Sequence, residues 1–158
     1  MNATGVRVEA ASPREPHARA LIGELDEYLL DLYPPETNYL LDVEALAAPD
    51  VRFFLAYLDG QAAGCAALRR LDADSGEVKR MYVRPEARGR GIGALLLAAL
   101  DREARAQSLS ALYLETGALQ PEALGLFERA GFVRCGVFGE YRDDPRSLFY
   151  RKALAPRP

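Results

Sequence analysis

Residues 83–94 of the chain read VRPEARGRGIGA, and this stretch is the most informative about the fold. A strand is predicted to end at Val83, and the glycines open an amphipathic helix that runs to about residue 107. The first N–H groups of a helix lack partners inside it, and the helix dipole adds partial positive charge there. The ligand-binding features are glycines that let a ligand approach the backbone and two cations: Gly89, Gly91, Gly93, Arg88 and Arg90. Together they predict a site for a phosphate or diphosphate.

Two other interpretations of this stretch are less favoured. If the three glycines only capped the helix, each one inside it would cost about 1 kcal/mol of helix stability. Gly89-x-Gly91-x-x-Ala94 also matches the dinucleotide fingerprint, with Glu115 in place of the ribose-binding acid. That fingerprint follows its strand almost at once and belongs to a run of βαβ units, unlike the context here. A nucleotide-binding oxidoreductase therefore remains as a less favoured alternative.

Upstream of this stretch, the apolar residues recur at helical spacing up to about residue 33, and residues 51–58 are aromatic and β-branched. A strand is predicted at residues 6–10, a helix at 15–33 that ends before Pro34-Pro35, and a short helical piece at 43–48. Three strands then follow in hairpins, with Asp59-Gly60 as a turn signal. They are predicted at residues 51–58, 62–71 and 77–83.

Downstream, a strand is predicted at 111–115, a helix at 120–130 and two closing strands at 132–137 and 148–152. Strands that run first in hairpins and then through a βαβ crossover are typical of a mixed sheet. The predicted fold class is α/β, with a mostly antiparallel central sheet and helices on both faces. One domain over residues 1–158 is the simplest organisation, since no linker or repeat interrupts the chain.

Composition narrows the class of function. The formal net charge of −3 gives no electrostatic basis for binding nucleic acid or an anionic membrane, so neither is expected as a partner. Cys65 and Cys135 are the two cysteines, which we interpret as reduced thiols of a cytoplasmic protein. No apolar run typical of a signal peptide or a membrane span is found, and no metal-ligand spacing is found either.

The stretch V-x-P-x-x-R-G-R-G-I-G-A, followed by ALLLAAL, resembles motif A of the GNAT superfamily of acyl-CoA-dependent N-acetyltransferases. The family pattern Gln/Arg-x-x-Gly-x-Gly/Ala is met by Arg88, Gly91 and Gly93. Residues 114–116 and the helix at 122–132 (EALGLFERAGF) continue the resemblance as motif B. The resemblance covers about residues 5–152 and implies the GNAT fold, with acetyl-CoA as cosubstrate.

The resemblance also implies where coenzyme A binds. In the family, the diphosphate lies on the motif A turn, the pantetheine arm pairs with the motif A strand, and that strand and the next one splay apart. Gln120 matches a position that contacts the cofactor and is often Asn. The implied cofactor-binding residues are therefore Met81, Tyr82, Val83, Arg88, Gly89, Arg90, Gly91, Ile92, Gly93, Ala94 and Gln120.

Transfer of an acetyl group to an amine needs a base, because an alkyl ammonium with a pKa near 10 is not nucleophilic. Family members place this base at the start of the motif A strand or at the end of the next one, which implies Glu77 first and Glu115 second. The family's proton-donating tyrosine is replaced by Phe127. Tyr141 is the first candidate to substitute for it, and Tyr82 is a weaker one.

We therefore expect direct acetyl transfer, in a ternary complex, to the amine of a small molecule or amino acid. The resemblance also implies a homodimer, which is common in the family. The loop at residues 33–39 is expected to shape the acceptor side. An acceptor carboxylate is a further expectation, based on five cations near the predicted strands: Arg69, Arg70, Lys79, Arg80 and Arg142. A non-catalytic acyl-CoA-binding module on the same fold is the main alternative, since Phe127 has no proton to give.

Overall fold

A central sheet of seven strands organises the computed structural model, which describes residues 5–33, 42–118 and 121–154. The strands are β1 (Val6–Ala10), β2 (Val51–Leu58), β3 (Gln61–Arg70), β4 (Ser75–Val83), β5 (Ala111–Gly117), β6 (Val133–Arg134) and β7 (Ser147–Ala153). The helices are α1 (Pro16–Leu32), α2 (Val43–Leu46), α3 (Ile92–Ala106) and α4 (Pro121–Arg129). In the described part of the chain, no helix combines the length and apolar character needed to cross a bilayer.

The strand order in the sheet is β1-β2-β3-β4-β5-β7-β6. Every neighbouring pair is antiparallel except β4 and β5, which are parallel because α3 forms the crossover between them. The predicted fold class is confirmed. A doubly wound dinucleotide-binding sheet is excluded, because it would be built from successive parallel pairs.

Two apolar layers cover the two faces of the sheet. On one face, α1 and α2 bury residues such as Leu21 and Leu46 against β2 and β3. On the other face, Ile92, Leu96 and Leu100 of α3 are at most 1% exposed. Burial of each of these side chains contributes about 1.5–3 kcal/mol to folding. Apolar side chains therefore cover both faces of the sheet, except where the strands separate.

Several predicted boundaries shift by one or two residues. The helical piece predicted at 43–48 ends at Leu46, since Ala47 leaves the helical region ahead of Pro49. The helix begins at an N-cap, where the Asp42 carboxylate accepts a hydrogen bond from the N–H of Ala45 (2.8 Å). The strand predicted at 132–137 is reduced to Val133–Arg134, because the chain then leaves the sheet as a loop at residues 135–146. The proline-marked loop predicted after Tyr33 lies outside the described residues.

Candidate active site

A cleft opens where β4 and β5 separate. The two strands pair only at Ser75–Ala111, Gly76–Leu112 and Glu77–Tyr113. Beyond these pairs the strands diverge, and a cavity of about 590 Å³ lies between them. The expected splay beside residues 81–83 is therefore present, and it leaves one edge of β4 unpaired among the described strands.

A β-bulge shapes the β4 wall of the cleft. Cys65 pairs with Tyr82 and Ala67 pairs with Lys79, so two residues of β4 stand opposite one residue of β3. Arg80, in the bulge, has φ of 54°, which is a left-handed conformation that non-glycine residues adopt at a cost. Its buried guanidinium pairs with Asp26 of α1, and its carbonyl oxygen accepts a hydrogen bond from the Cys65 thiol. The bulge is thus held from both sides.

The turn before α3 has the geometry of an anion site. Gly89 and Gly91 have φ of 80° and 78°, and no atom beyond their chain neighbours would lie within 4 Å of a Cβ at either position. Gly91 is the N-cap of α3, so unpaired helix N–H groups face the open cleft. Arg88 lines the cavity beside them and donates a hydrogen bond to the carbonyl oxygen of Val83 (3.0 Å). The residues present therefore fit a diphosphate.

Gly93 differs from the other two glycines because α4 packs against it. A Cβ at this position would lie 2.7 Å from a methyl carbon of Leu126. Gly93 therefore lets α4 approach α3, and it also lines the cavity. Its role in helix packing was not part of the sequence prediction.

Most of the predicted cofactor-binding residues line this one cavity. Arg90 is exposed and is not part of the cavity wall, and Gln120 lies outside the described residues. The predicted residues that do line the cavity are Met81, Tyr82, Val83, Arg88, Gly89, Gly91, Ile92, Gly93 and Ala94.

Glu115 is the predicted base that faces the cavity. Its carboxylate accepts a hydrogen bond from the Ser147 hydroxyl (2.7 Å), and no salt bridge of Glu115 is found within the described ranges. Burial raises the pKa of Glu115, and the nearby Glu77 charge adds to that rise. The Ser147 hydrogen bond and the Lys79 charge act against this rise, because each of them lowers the pKa of Glu115. A partly buried carboxylate with a raised pKa and no salt bridge can receive a proton or an ammonium group.

Glu77 lies in a different environment, at the end of the cleft where β4 and β5 still pair, which we call the apex. Its side chain is 1% exposed and does not line the cavity. Its carboxylate accepts a short hydrogen bond from the Tyr141 hydroxyl and lies 3.4 Å from Lys79 Nζ. Lys79 Nζ also donates a hydrogen bond to the Tyr141 oxygen (2.7 Å). We call Glu77, Lys79 and Tyr141 the apex triad. It anchors the loop at residues 135–146 to the sheet.

The two tyrosines considered as proton donors are already engaged. Tyr141 donates to Glu77, and burial, reinforced by Glu77, raises its pKa. Tyr82 donates to Glu24 on α1 (3.2 Å). Phe127 lines the cavity but packs edge-on against Phe132. The tyrosine hydroxyls singled out from the sequence therefore point to carboxylates of the protein.

Most of the cations proposed to bind an acceptor carboxylate have protein partners. Arg69 lies 4.0 Å from Asp50, Arg80 pairs with Asp26, and Lys79 pairs with Glu77. Arg70 donates to Gln107 on the far side of the sheet (2.9 Å). Lys79 and Arg80 do line the cavity, and so does Arg146, which pairs with Asp144. Within the described ranges, no group of His, Cys, Asp or Glu could hold a metal ion.

Two cavity residues were not assigned a role in the chemistry by sequence reasoning. Ser147 was placed outside the predicted closing strand, although it is the residue that contacts Glu115. Tyr33 was considered only as the start of a loop, but its buried ring lines the cavity and lies against Gly117. No local pattern could have identified either contact, because 32 residues separate Ser147 from Glu115.

Known proteins with similar sequences are acetyltransferases of one family. A family profile described as "Acetyltransferase (GNAT) family" matches residues 18–132. An "IAA acetyltransferase" from Azospirillum brasilense is 48% identical over 151 residues, which cover 94% of this chain and 98% of that protein.

Two solved structures show similar folds. A proposed acyl-CoA N-acyltransferase from Klebsiella pneumoniae is 32% identical, with a TM-score of 0.79 over 95% of this chain and 98% of that one. N-acetylglutamate synthase from Neisseria gonorrhoeae, solved with coenzyme A and N-acetyl-glutamate, is 29% identical. Its TM-score is 0.72, and the match covers 95% of this chain and 35% of that longer chain.

Proposed function

The chain belongs to the GNAT family of acetyltransferases, and from this premise we propose how it acts. It is an acetyl-CoA-dependent N-acetyltransferase, and we propose that its acceptor is the primary amine of a small molecule, with Glu115 as the general base. The observation that carries the proposal is the position of Glu115, a carboxylate that faces the cleft with a raised pKa and forms no salt bridge among the described residues.

The cofactor side follows from the turn before α3. The free N–H groups at residues 89–93 and the guanidinium of Arg88 would hold the diphosphate of acetyl-CoA. The unpaired edge of β4 beyond Glu77 would hold the pantetheine amides as a neighbouring strand does. These contacts direct the thioester toward the apex of the cleft, where Glu115 lies.

Acetyl transfer then needs a proton acceptor and an electrophilic carbonyl group. An ammonium acceptor loses its proton to Glu115, and the neutral amine attacks the thioester carbon. A backbone N–H on the open edge of β4 stabilises the negative charge that develops on the carbonyl oxygen. The C–N bond forms and the C–S bond breaks. The nitrogen then gives its second proton to water, and coenzyme A leaves as the thiolate.

Glu115 is favoured over Glu77 because of their surroundings. The Tyr141 hydroxyl and the Lys79 ammonium already contact the Glu77 carboxylate, and the side chain is buried away from the cavity. Glu115 keeps one hydrogen bond, from Ser147, and its raised pKa makes it a better proton acceptor near neutral pH. The sequence alone favours Glu77, and the geometry supports the reverse order.

A separate proton donor is not needed for the leaving group. A thiol with a pKa near 8.5 is a fair leaving group as its thiolate at neutral pH. This property agrees with Phe127 at the position where the family often has a tyrosine, and with the engagement of Tyr141 and Tyr82 by Glu77 and Glu24. The thiolate can take its proton from solvent.

A matched pair of variants tests the proposal. Thiol release from acetyl-CoA is measured with a panel of small amines for the wild type, Glu115→Gln and Glu77→Gln. We expect Glu115→Gln to lower kcat by roughly 10²–10⁴-fold with unchanged coenzyme A affinity, as for loss of a general base. Glu77→Gln, if folded, should lower kcat far less. The assignment of the base is wrong if Glu115→Gln stays fully active, and the acceptor class is wrong if no small amine is acetylated.

A further inference from the structure

Tyr33 is joined to the active site across the cleft. It follows the last turn of α1, and its N–H donates to the carbonyl oxygen of Leu29 (2.9 Å). From there the side chain reaches β5, where its phenol occupies the space that a Cβ on residue 117 would need. Since α1 packs on β3 and β4, the ring spans the gap from the β4 side to β5.

The face of β5 that points toward the acceptor side carries three alternate residues: Tyr113, Glu115 and Gly117. Leu112 and Leu114 point the other way into the α3 layer. The ring of Phe138 covers Tyr113, with ring centroids 4.9 Å apart, and the ring of Tyr33 covers Gly117. Glu115 therefore lies between two aromatic covers.

The rings of Phe138 and Tyr33 therefore border Glu115 on its two sides along β5. Residue 117 is two positions beyond Glu115, so Tyr33 meets β5 about 7 Å along the strand from it. At the other end, the apex triad fixes the loop that carries Phe138. We infer that Tyr33 is a specificity-determining residue, which limits how bulky a substituent the amine-bearing carbon of the acceptor can carry.

This inference rests on the proposed function but makes a separate prediction. A bulky group beside the amine would have to displace the ring of Tyr33, which Gly117 and α1 hold in place. A slim amine would reach Glu115 beside the ring. Removal of the ring should therefore favour bulky acceptors selectively, with no effect on coenzyme A affinity.

The test compares two amines of equal carbon number, n-butylamine and sec-butylamine. A second pair consists of the best acceptor of the panel and its analogue with a methyl added at the amine-bearing carbon. For Tyr33→Ala we expect the ratio of kcat/KM for the bulky amine to that for the slim one to rise about tenfold, the scale of one methyl group in a pocket. Tyr33→Phe retains the ring and should retain the wild-type ratio.

A double-mutant cycle checks the contact itself. Gly117→Ala should lower the Tm of the wild type but be tolerated in Tyr33→Ala, since the three atoms nearest to the added methyl all belong to the Tyr33 phenol. Gly23→Ala, at an exposed site with open space, serves as the control. An unchanged kcat/KM ratio in Tyr33→Ala would overturn the inference while leaving the proposed function intact. Failure of the wild type to acetylate any amine would contradict the proposed function instead.

Discussion

At the level of single residues, the groups around a carboxylate determine its pKa and its accessibility, as Glu115 shows. Two glutamates lie on neighbouring strands near the same apex, but Glu77 has a hydroxyl and an ammonium as partners and Glu115 has one serine. Burial raises the pKa of Glu115, so its carboxylate takes up a proton more readily than an exposed one does. In the proposed mechanism, this difference in partners leaves Glu115, and not Glu77, available as the base.

The Ser147 hydrogen bond sets the pH range in which Glu115 can act. This bond lowers the pKa of Glu115, so Ser147→Ala should raise that pKa further. Because the base must be ionised, activity is lost as the pH falls through its pKa. The acid limb of the kcat/KM profile should therefore move to higher pH in Ser147→Ala.

Ser110→Ala is the matched control for this measurement. The Ser110 hydroxyl also donates a hydrogen bond (3.1 Å), but to the backbone of Asp74 at an exposed site away from the cleft. Its pH profile should coincide with that of the wild type. A profile in Ser147→Ala that stays in place, or moves to lower pH, would contradict the role of Glu115 as the base.

At the level of elements, Gly91 serves the turn before α3 in two ways. It adopts a positive φ without strain, and it leaves the space in front of the helix N–H groups open. Gly91→Val should weaken coenzyme A binding at least tenfold, or about 1.4 kcal/mol. The added side chain would fill the space in front of the helix N–H groups and would also force a β-branched residue to positive φ. Isothermal calorimetry with coenzyme A gives the affinity, and thermal unfolding gives the cost to the fold.

Gly60→Val separates these two effects. Gly60 has φ of 84° and open space around it, like Gly91, but it lies in the turn between β2 and β3. Both variants should lose about 1–2 kcal/mol of stability from the backbone alone. Only Gly91→Val should lose affinity. Equal affinities in the two variants would remove the anion site from the α3 turn.

At the scale of the whole molecule, the sheet consists of two halves that meet at three residue pairs. Strands β1 to β4 form one half, and β5, β7 and β6 form the other. The cleft lies where this contact ends, so a ligand held by β4, the α3 turn and α4 touches both halves. Coenzyme A should consequently stabilise the whole fold and not only the turn.

Thermal unfolding and hydrogen exchange measure this effect. Coenzyme A at 100 times its Kd should add about 2.7 kcal/mol to the free energy of unfolding. Amide exchange should slow at residues 81–83 and at 89–94. NAD at the same concentration should change neither quantity, and a comparable shift with NAD would count against the coenzyme A site.

Elements with a strong local pattern were predictable. The aromatic and β-branched residues at 51–58 predicted β2 with the observed bounds. The buried face of α3 was predicted from the apolar stripe of Ile92, Leu95, Leu96, Ala99, Leu100 and Ala104. Leu97, also buried, falls outside that stripe, whereas Leu95 is only partly buried. Further packing around α3, such as that of α4 at Gly93, depends on contacts that no window of sequence contains.

The chain's own order of residues was enough to specify a mixed sheet, the α3 turn and a carboxylate on each strand beside the cleft, because periodicity, turn residues and helix ends are local properties. The proposed preference for Glu115 over Glu77 depends on tertiary contacts, and so does the position of Tyr33. Tyr141 reaches Glu77 across 64 residues of chain, and Ser147 reaches Glu115 across 32. A carboxylate acquires its pKa and its accessibility from such distant neighbours, which meet only when the sheet and its loops have packed.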